Sequence, residues 1–212
     1  MIKNKITAEN IALFNANLRY EEPKTIINFA LRMAERPLVT TSFGAHSAAI
    51  LHATTSKKRD IQVIWCDTGY NTEATLVHAE KLTSLFNLNL EIFRPNPSLV
   101  NIDKAHYLYG TDDSNHKQFA EKVKLEPFAR AMQKYKPDVW FTTIRKGQTT
   151  YRDTLDILSL TEDGILRVSP FYHFSDEQIK DYLRKYNLPT EYDYFDPVKA
   201  EKNRECGIQF RK

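Results

Sequence analysis

An α/β fold with a doubly wound, mostly parallel sheet is what this 212-residue sequence predicts, on three observations. Compact apolar runs rich in β-branched and aromatic residues recur at Leu38–Thr41, Ile61–Trp65, Leu90–Phe93 and Val139–Thr143. Segments of helical spacing separate them, and strands alternating with helices argue for a parallel sheet covered on both faces. Three of the runs end in polar turns, the end of the strand at which open α/β sheets hold ligands.

Thr7–Leu18 is predicted helical, with Thr7 as N-cap and Ile11, Phe14 and Leu18 on one side. Pro23 opens a second helix to about Glu35, and Pro37 breaks it. After the first strand, Ser42–Ser47 turns into a helix from Ser47 to about Ser56. The second strand leads through Asp67-Thr68-Gly69-Tyr70 to a helix capped by Thr72, with Leu76, Ala79, Leu82 and Phe86 on its inner face. The third strand is followed by a loop or lid over 101–117, then a helix from His116 to Tyr135 with a kink or break at Pro127. The fourth strand enters a basic loop, Arg145–Arg152. Residues 156–168 suit a hairpin around Asp163-Gly164. Ser175 caps a last helix to Tyr186, with Ile179, Tyr182 and Leu183 inward. One domain, 1–188, and an irregular tail, 189–212, are the expected organisation.

Composition narrows the class. Hydrophobic content of 42% and charged content of 27% are ordinary for a soluble globular protein. A net charge of +3 falls short of the concentrated basic excess of a nucleic-acid binder and suits a small anionic substrate. No apolar stretch reads as a secretory signal or a membrane span, so a cytoplasmic location is expected, where thiols stay reduced. Two cysteines cannot by themselves build a Cys₄ zinc site or hold an iron–sulfur cluster. The six histidines show no close ligand spacing, and no metal is expected.

Four pieces carry the chemistry. Ser42-Phe43-Gly44-Ala45-His46-Ser47 is a strand-to-helix junction whose backbone N–H groups can hold an anion. It lacks the Gly-Lys-Ser/Thr of a Walker loop, and an ordinary βα turn reads equally well. Asp67-Thr68-Gly69 closes the second strand, either facing the same crevice or merely capping its own turn. Arg145, Lys146, Gln148 and Arg152 place three cations and an amide in one loop, and arginine matches phosphate or sulfate oxygens in bidentate fashion. Cys206 lies in a segment, Lys199–Lys212, with five basic residues against two acidic ones. Neighbouring cations favour the thiolate, the attacking species, and Gly207 lets the backbone bend. Cys66, ending an apolar strand, reads instead as a packed and inert thiol.

In this order the pieces resemble the thioredoxin-dependent phosphoadenylyl-sulfate (PAPS) reductases, sulfonucleotide reductases, from about Leu38 to Gln209. Ser42-Phe43-Gly44 matches their modified PP-loop, and Asp67-Thr68-Gly69-Tyr70 their DTGY turn. Lys124-Leu125-Glu126-Pro127 is similar to a K-V-E-P segment. Arg145–Arg152 is similar to an RREQSGSR loop, and Glu205-Cys206-Gly207-Ile208 matches the start of ECGLH. The resemblance implies an adenine-nucleotide α-hydrolase-like (PP-loop) fold with a C-terminal catalytic tail. It also implies reduction of PAPS to sulfite in assimilatory sulfate reduction, which feeds cysteine biosynthesis. Cys206 would form an S-sulfonate that thioredoxin or glutaredoxin resolves. Ser42, Phe43, Gly44, Ser47, Asp67, Thr68, Gly69, Arg145, Lys146, Gln148, Arg152 and Arg204 would bind substrate. No cluster, no bound cofactor, no membrane or nucleic-acid partner, and a possible homodimer complete the expectation. Lys146 replaces a second Arg of the family pattern, Gln209 replaces a His, and the Y-x-S-x-G-D segment is missing. Two other readings stay open: an ATP pyrophosphatase of the same superfamily, against which Phe43 and His46 speak, and a nucleotide-binding homologue without activity.

Overall fold

The computed structural model describes residues 6–96 and 113–196, together with Val198 and Ile208. Arg204, Cys206 and most of the loop expected over 101–117 lie outside the described residues. Helices α1 (Ile11–Leu18) and α2 (Pro23–Met33) precede β1 (Pro37–Thr41). Then follow α3 (Ser47–Thr55), β2 (Gln62–Cys66), α4 (Glu73–Phe86) and β3 (Asn89–Phe93). Beyond the loop come α5 (Asp113–Ala120), a π-helical turn (Glu121–Leu125) and α6 (Glu126–Tyr135). The chain continues through β4 (Val139–Phe141), a 3₁₀ turn (Arg152–Thr154), β5 (Leu158–Leu160), β6 (Leu166–Val168) and α7 (Asp176–Lys185).

The six strands form one sheet in the order β3-β2-β1-β4-β6-β5. All pairings are parallel except the β5–β6 hairpin. Because successive strand residues face opposite sides, the sheet has two inner surfaces. Val39, Val63, Phe141 and Val168 enter the larger core with Ile26, Ile27, Ile50 and Leu51 of α2 and α3. Leu38, Ile64 and Trp140 face the other way and pack with Phe128 and Ala131 of α6. Helices thus cover both faces, as the patterning predicts.

The chain runs outward from β1 through β2 to β3, then returns to place β4 on the other side of β1. The order reverses there, so the ends of β1 and β4 diverge into a crevice, the usual ligand position of such sheets.

Local chemistry sets several boundaries differently from the sequence reading. Helix α1 begins at Ile11, because Thr7 donates its N–H to the Asn10 side chain (2.8 Å) and residues 8–10 form a turn. In α4 the buried positions are Thr75, His78, Ala79 and Leu82, whereas Leu76 is exposed. Its cap is as expected, with the Thr72 side chain accepting the N–H of Thr75. Pro127 produces no kink; it sits in the first turn of α6, and the irregularity lies before it as the π turn. Ser175 and Gln178 form a reciprocal capping box at α7.

Candidate active site

β1 delivers the chain to the crevice at Thr41. The Thr41 hydroxyl accepts the N–H of Phe43 (3.0 Å), and Phe43 adopts a left-handed backbone, φ +52°. That conformation costs a non-glycine residue about 1 kcal/mol. Burial of the ring offsets it: the side chain is fully enclosed, edge-on to Trp65 at 5.0 Å. Ser47, first residue of α3, donates its N–H to the Gly44 carbonyl (2.9 Å) and closes the loop. Ser42 is left exposed on the crevice wall. A Cβ on Gly44 would touch the Tyr194 ring at 3.5 Å, an ordinary contact, so crowding does not demand glycine there.

The turn after β2 is held by its own side chains. The buried Asp67 carboxylate accepts from the Gly69 N–H (3.0 Å), the Asn71 amide (2.7 Å) and Arg94 (3.0 Å). The Thr68 hydroxyl accepts the Tyr70 N–H at 3.3 Å. Gly69 has φ +79°, where glycine carries no steric penalty.

The loop after β4 is also tied internally. Gln148 Oε1 accepts from the Arg145 N–H (2.9 Å) and from Arg152 Nη1. The buried Arg145 guanidinium donates to Asp176 (2.6 Å) and to the Phe174 carbonyl (3.2 Å), with His46 Nδ1 at 3.5 Å. Burial first, and then the charge of Arg145, hold His46 below the ordinary imidazole range. Asp176 is held low by its hydrogen bond to Arg145. Lys146 extends its side chain into solvent.

At the crevice, Thr40, Thr41 and Ser42 of the first strand and loop meet Ile64 and Cys66 of β2. Thr142, Thr143, Arg152, Lys124, Phe128 and Ile208 line the same cavity. The cavity volume is about 110 Å³, below the ~300 Å³ at which small-molecule pockets usually start. Lys124 comes from the π turn and forms a buried ion pair with Asp196. Asp196 belongs to residues 189–196, which contain no helix or strand yet rest on the domain. The Asp193 carbonyl accepts the Thr72 hydroxyl (2.6 Å), and Tyr194 lies against Gly44.

Of the predicted binding residues, the cavity gathers Ser42 and Arg152. Phe43, Gly44, Ser47, Gln148 and Arg145 shape the loops behind it, while Asp67, Thr68 and Gly69 organise their own turn. Sequence reasoning did not select Cys66, Thr142, Thr143 or Ile208. Nor did it place Lys124 among the binding residues, although the Lys-Leu-Glu-Pro segment marks it. The position of Thr142 and Thr143 at a strand end was the available signal for them. Among the described residues, no cluster of three metal-ligating side chains occurs, and no helix is long and apolar enough to cross a membrane.

The fold and the crevice define an α/β protein of the adenine-nucleotide α-hydrolase-like class. The phosphoadenosine phosphosulfate reductase domain model matches residues 36–195. The chain is 31% identical over 185 residues to phosphoadenosine 5′-phosphosulfate reductase of Xylella fastidiosa (strain M12), covering 85% of this chain and 77% of that protein. It is 33% identical over 196 residues to the reductase of the same name from Buchnera aphidicola subsp. Acyrthosiphon pisum (strain Tuc7), covering 89% and 76%. The chain therefore belongs to the phosphoadenosine phosphosulfate reductase family. Solved structures match the fold. The phosphate complex of PAPS reductase from Candida auris superposes with a TM-score of 0.73 at 23% identity, covering 88% of this chain and 90% of that one. FMN adenylyltransferase of Candida glabrata gives 0.59 at 14% identity, covering 89% and 62%.

Proposed function

We propose that the protein reduces 3′-phosphoadenylyl sulfate to sulfite and adenosine 3′,5′-bisphosphate. The Cys206 thiolate attacks the sulfuryl sulfur. The S–O bond to the phosphate breaks, and the nucleoside bisphosphate leaves with the electron pair. The product on the chain is an S-sulfonate. A thiolate then attacks the Cys206 sulfur and expels sulfite, and thioredoxin or glutaredoxin supplies the two electrons.

The observation that carries this reading is the presence of Ile208 on the wall of the crevice at the β1–β4 divergence. Cys206 precedes it by two residues, and a chain that short spans at most about 7 Å. Arg152 lines the same cavity, and its charge suits an anionic sulfonate. The family relationship supports the substrate. Ser42 and the loop around Gly44 are assigned to the phosphosulfate. Lys146 and Arg204 are assigned to its outer charges, and Arg145 to positioning, since Asp176 engages its guanidinium.

The test is turnover with PAPS and reduced thioredoxin, followed by sulfite release. Wild type yields sulfite, and Cys206→Ser yields none. Sulfite from Cys206→Ser would sink the reading, pyrophosphate from ATP would indicate the related pyrophosphatase chemistry, and nucleotide binding without turnover an inactive homologue.

A further inference from the structure

We propose that Asp196 is a built-in competitor for the anionic group of the ligand: its carboxylate holds the Lys124 ammonium until a nucleotide anion takes that ammonium over, and residues 191–196 are displaced in the exchange. The inference deepens the proposed function, since it rests on the crevice taking an anionic nucleotide; it makes no use of the cysteine chemistry.

Lys124 comes from the π-helical turn before α6 and lines the crevice cavity. A lysine in that position is a natural partner for a phosphate or sulfate oxygen. Its ammonium instead bonds to Asp196 Oδ2, and the two side chains are only 7% and 4% exposed. Asp196 Oδ1 accepts the N–H of Val198 at 3.1 Å, which orients the carboxylate. Asp196 is not among the described residues that line the cavity, so it engages the ammonium from outside that lining. A buried ammonium already matched by a carboxylate gains little from a second anion, which would add unbalanced negative charge in a poorly solvated place. The nucleotide anion and Asp196 are therefore alternatives. The flexible four-carbon stem of the lysine lets its ammonium turn from one to the other.

The segment that carries Asp196 is built to let go. It contains no helix or strand over residues 189–196. The Asp193 carbonyl accepts the hydroxyls of Thr72 (2.6 Å) and Thr75 (3.2 Å) on α4. The Tyr194 ring lies 3.5 Å from the place a Cβ on Gly44 would take, so the segment also rests on the loop after β1. Tyr192 and Phe195 are 65% and 39% exposed and add little apolar burial. A ligand anion that draws on both the Gly44 loop and Lys124 meets this one segment at both places. While Asp196 holds the ammonium, apparent affinity falls by the fraction of time the ammonium is available. The coupling is reciprocal: the ligand loosens the segment by the same factor as the segment opposes the ligand.

The experiment titrates adenosine 3′,5′-bisphosphate into the full-length chain by calorimetry. It also follows amide hydrogen exchange over residues 191–196 with and without the nucleotide. Asp196→Asn keeps the size of the side chain and removes its charge. It is expected to bind the nucleotide about tenfold more tightly than wild type, despite a lower thermal midpoint. Thr75→Val removes one hydroxyl from the Asp193 carbonyl and leaves the ion pair in place; it should tighten binding by about threefold. In wild type the nucleotide should speed exchange over 191–196. Equal or weaker binding by either variant overturns the proposal. So does slower exchange over 191–196 on adding nucleotide, the sign of a segment that closes on its ligand. Should Asp196→Asn fail to fold, Thr75→Val and the wild-type exchange decide the matter. If wild type and both variants bind no nucleotide, the nucleotide reading of the crevice fails and takes this proposal with it.

Discussion

Phe43 carries two opposing effects in one residue, a left-handed backbone and a fully buried ring. Replacing it with Ala removes the ring and keeps the backbone penalty, a loss of about 3 kcal/mol. Replacing it with Gly removes both, so Phe43→Gly should be the more stable variant by about 1 kcal/mol, against the usual order. Urea denaturation of the pair measures this, and equal or reversed midpoints would refute it. Asp67 offers a second test. Three donors converge on its carboxylate, so Asp67→Ala should lower stability by about 2 kcal/mol, with Asp67→Asn intermediate because the amide keeps one acceptor. A purely substrate-binding Asp67 would instead raise KM and leave the unfolding midpoint unmoved.

Elements were read from the sequence wherever a period was strong. The strands at 37–41, 62–66, 89–93 and 139–141 fell within two residues of expectation at each end because their apolar runs are short and bounded by turns. Thr72 and Ser175 were legible as caps because a hydroxyl before an amphipathic run has one dominant use. The π turn was not legible: no residue pattern distinguishes a widened helical turn, and Pro127 pointed to a break a few residues late. That turn carries Lys124 to its buried pair with Asp196. Asp196→Ala should cost about 3 kcal/mol, read as a fall in thermal midpoint, since burial of the lysine then lacks that carboxylate. An unchanged midpoint would remove the pair from the account of how residues 189–196 are anchored. At the opposite edge, Asn15 donates to the Leu158 carbonyl (2.9 Å) and accepts the Leu158 N–H (2.8 Å). It occupies the outward backbone groups of the edge strand β5 at that residue. Asn15→Ala should expose them and promote concentration-dependent self-association, visible by light scattering.

For the molecule as a whole, three histidines among the described residues respond to acid. His46, His52 and His78 are all held below the ordinary value, burial being the first cause in each. The unfolded chain therefore binds more protons than the folded one once pH drops below about 6.5. Their contribution is fully present above that value and is lost as pH falls, so the thermal midpoint should decline between pH 7 and pH 5. His78→Gln should flatten that decline, and a midpoint that rises on acidification would contradict the assignment. The site was legible only in part, for a topological reason. Ser42 and Arg152 stand in motifs, but Cys66, Lys124 and Ile208 reach the crevice from three separate segments, and only the folded sheet brings them together. The same topology bears on how the molecule forms. Val39 pairs with Phe141, about 100 residues later in the chain, so the central strand waits for most of the polypeptide before its second neighbour arrives. Closing so large a loop is entropically slow, and during synthesis on a ribosome that flank of β1 stays open and sticky until β4 emerges.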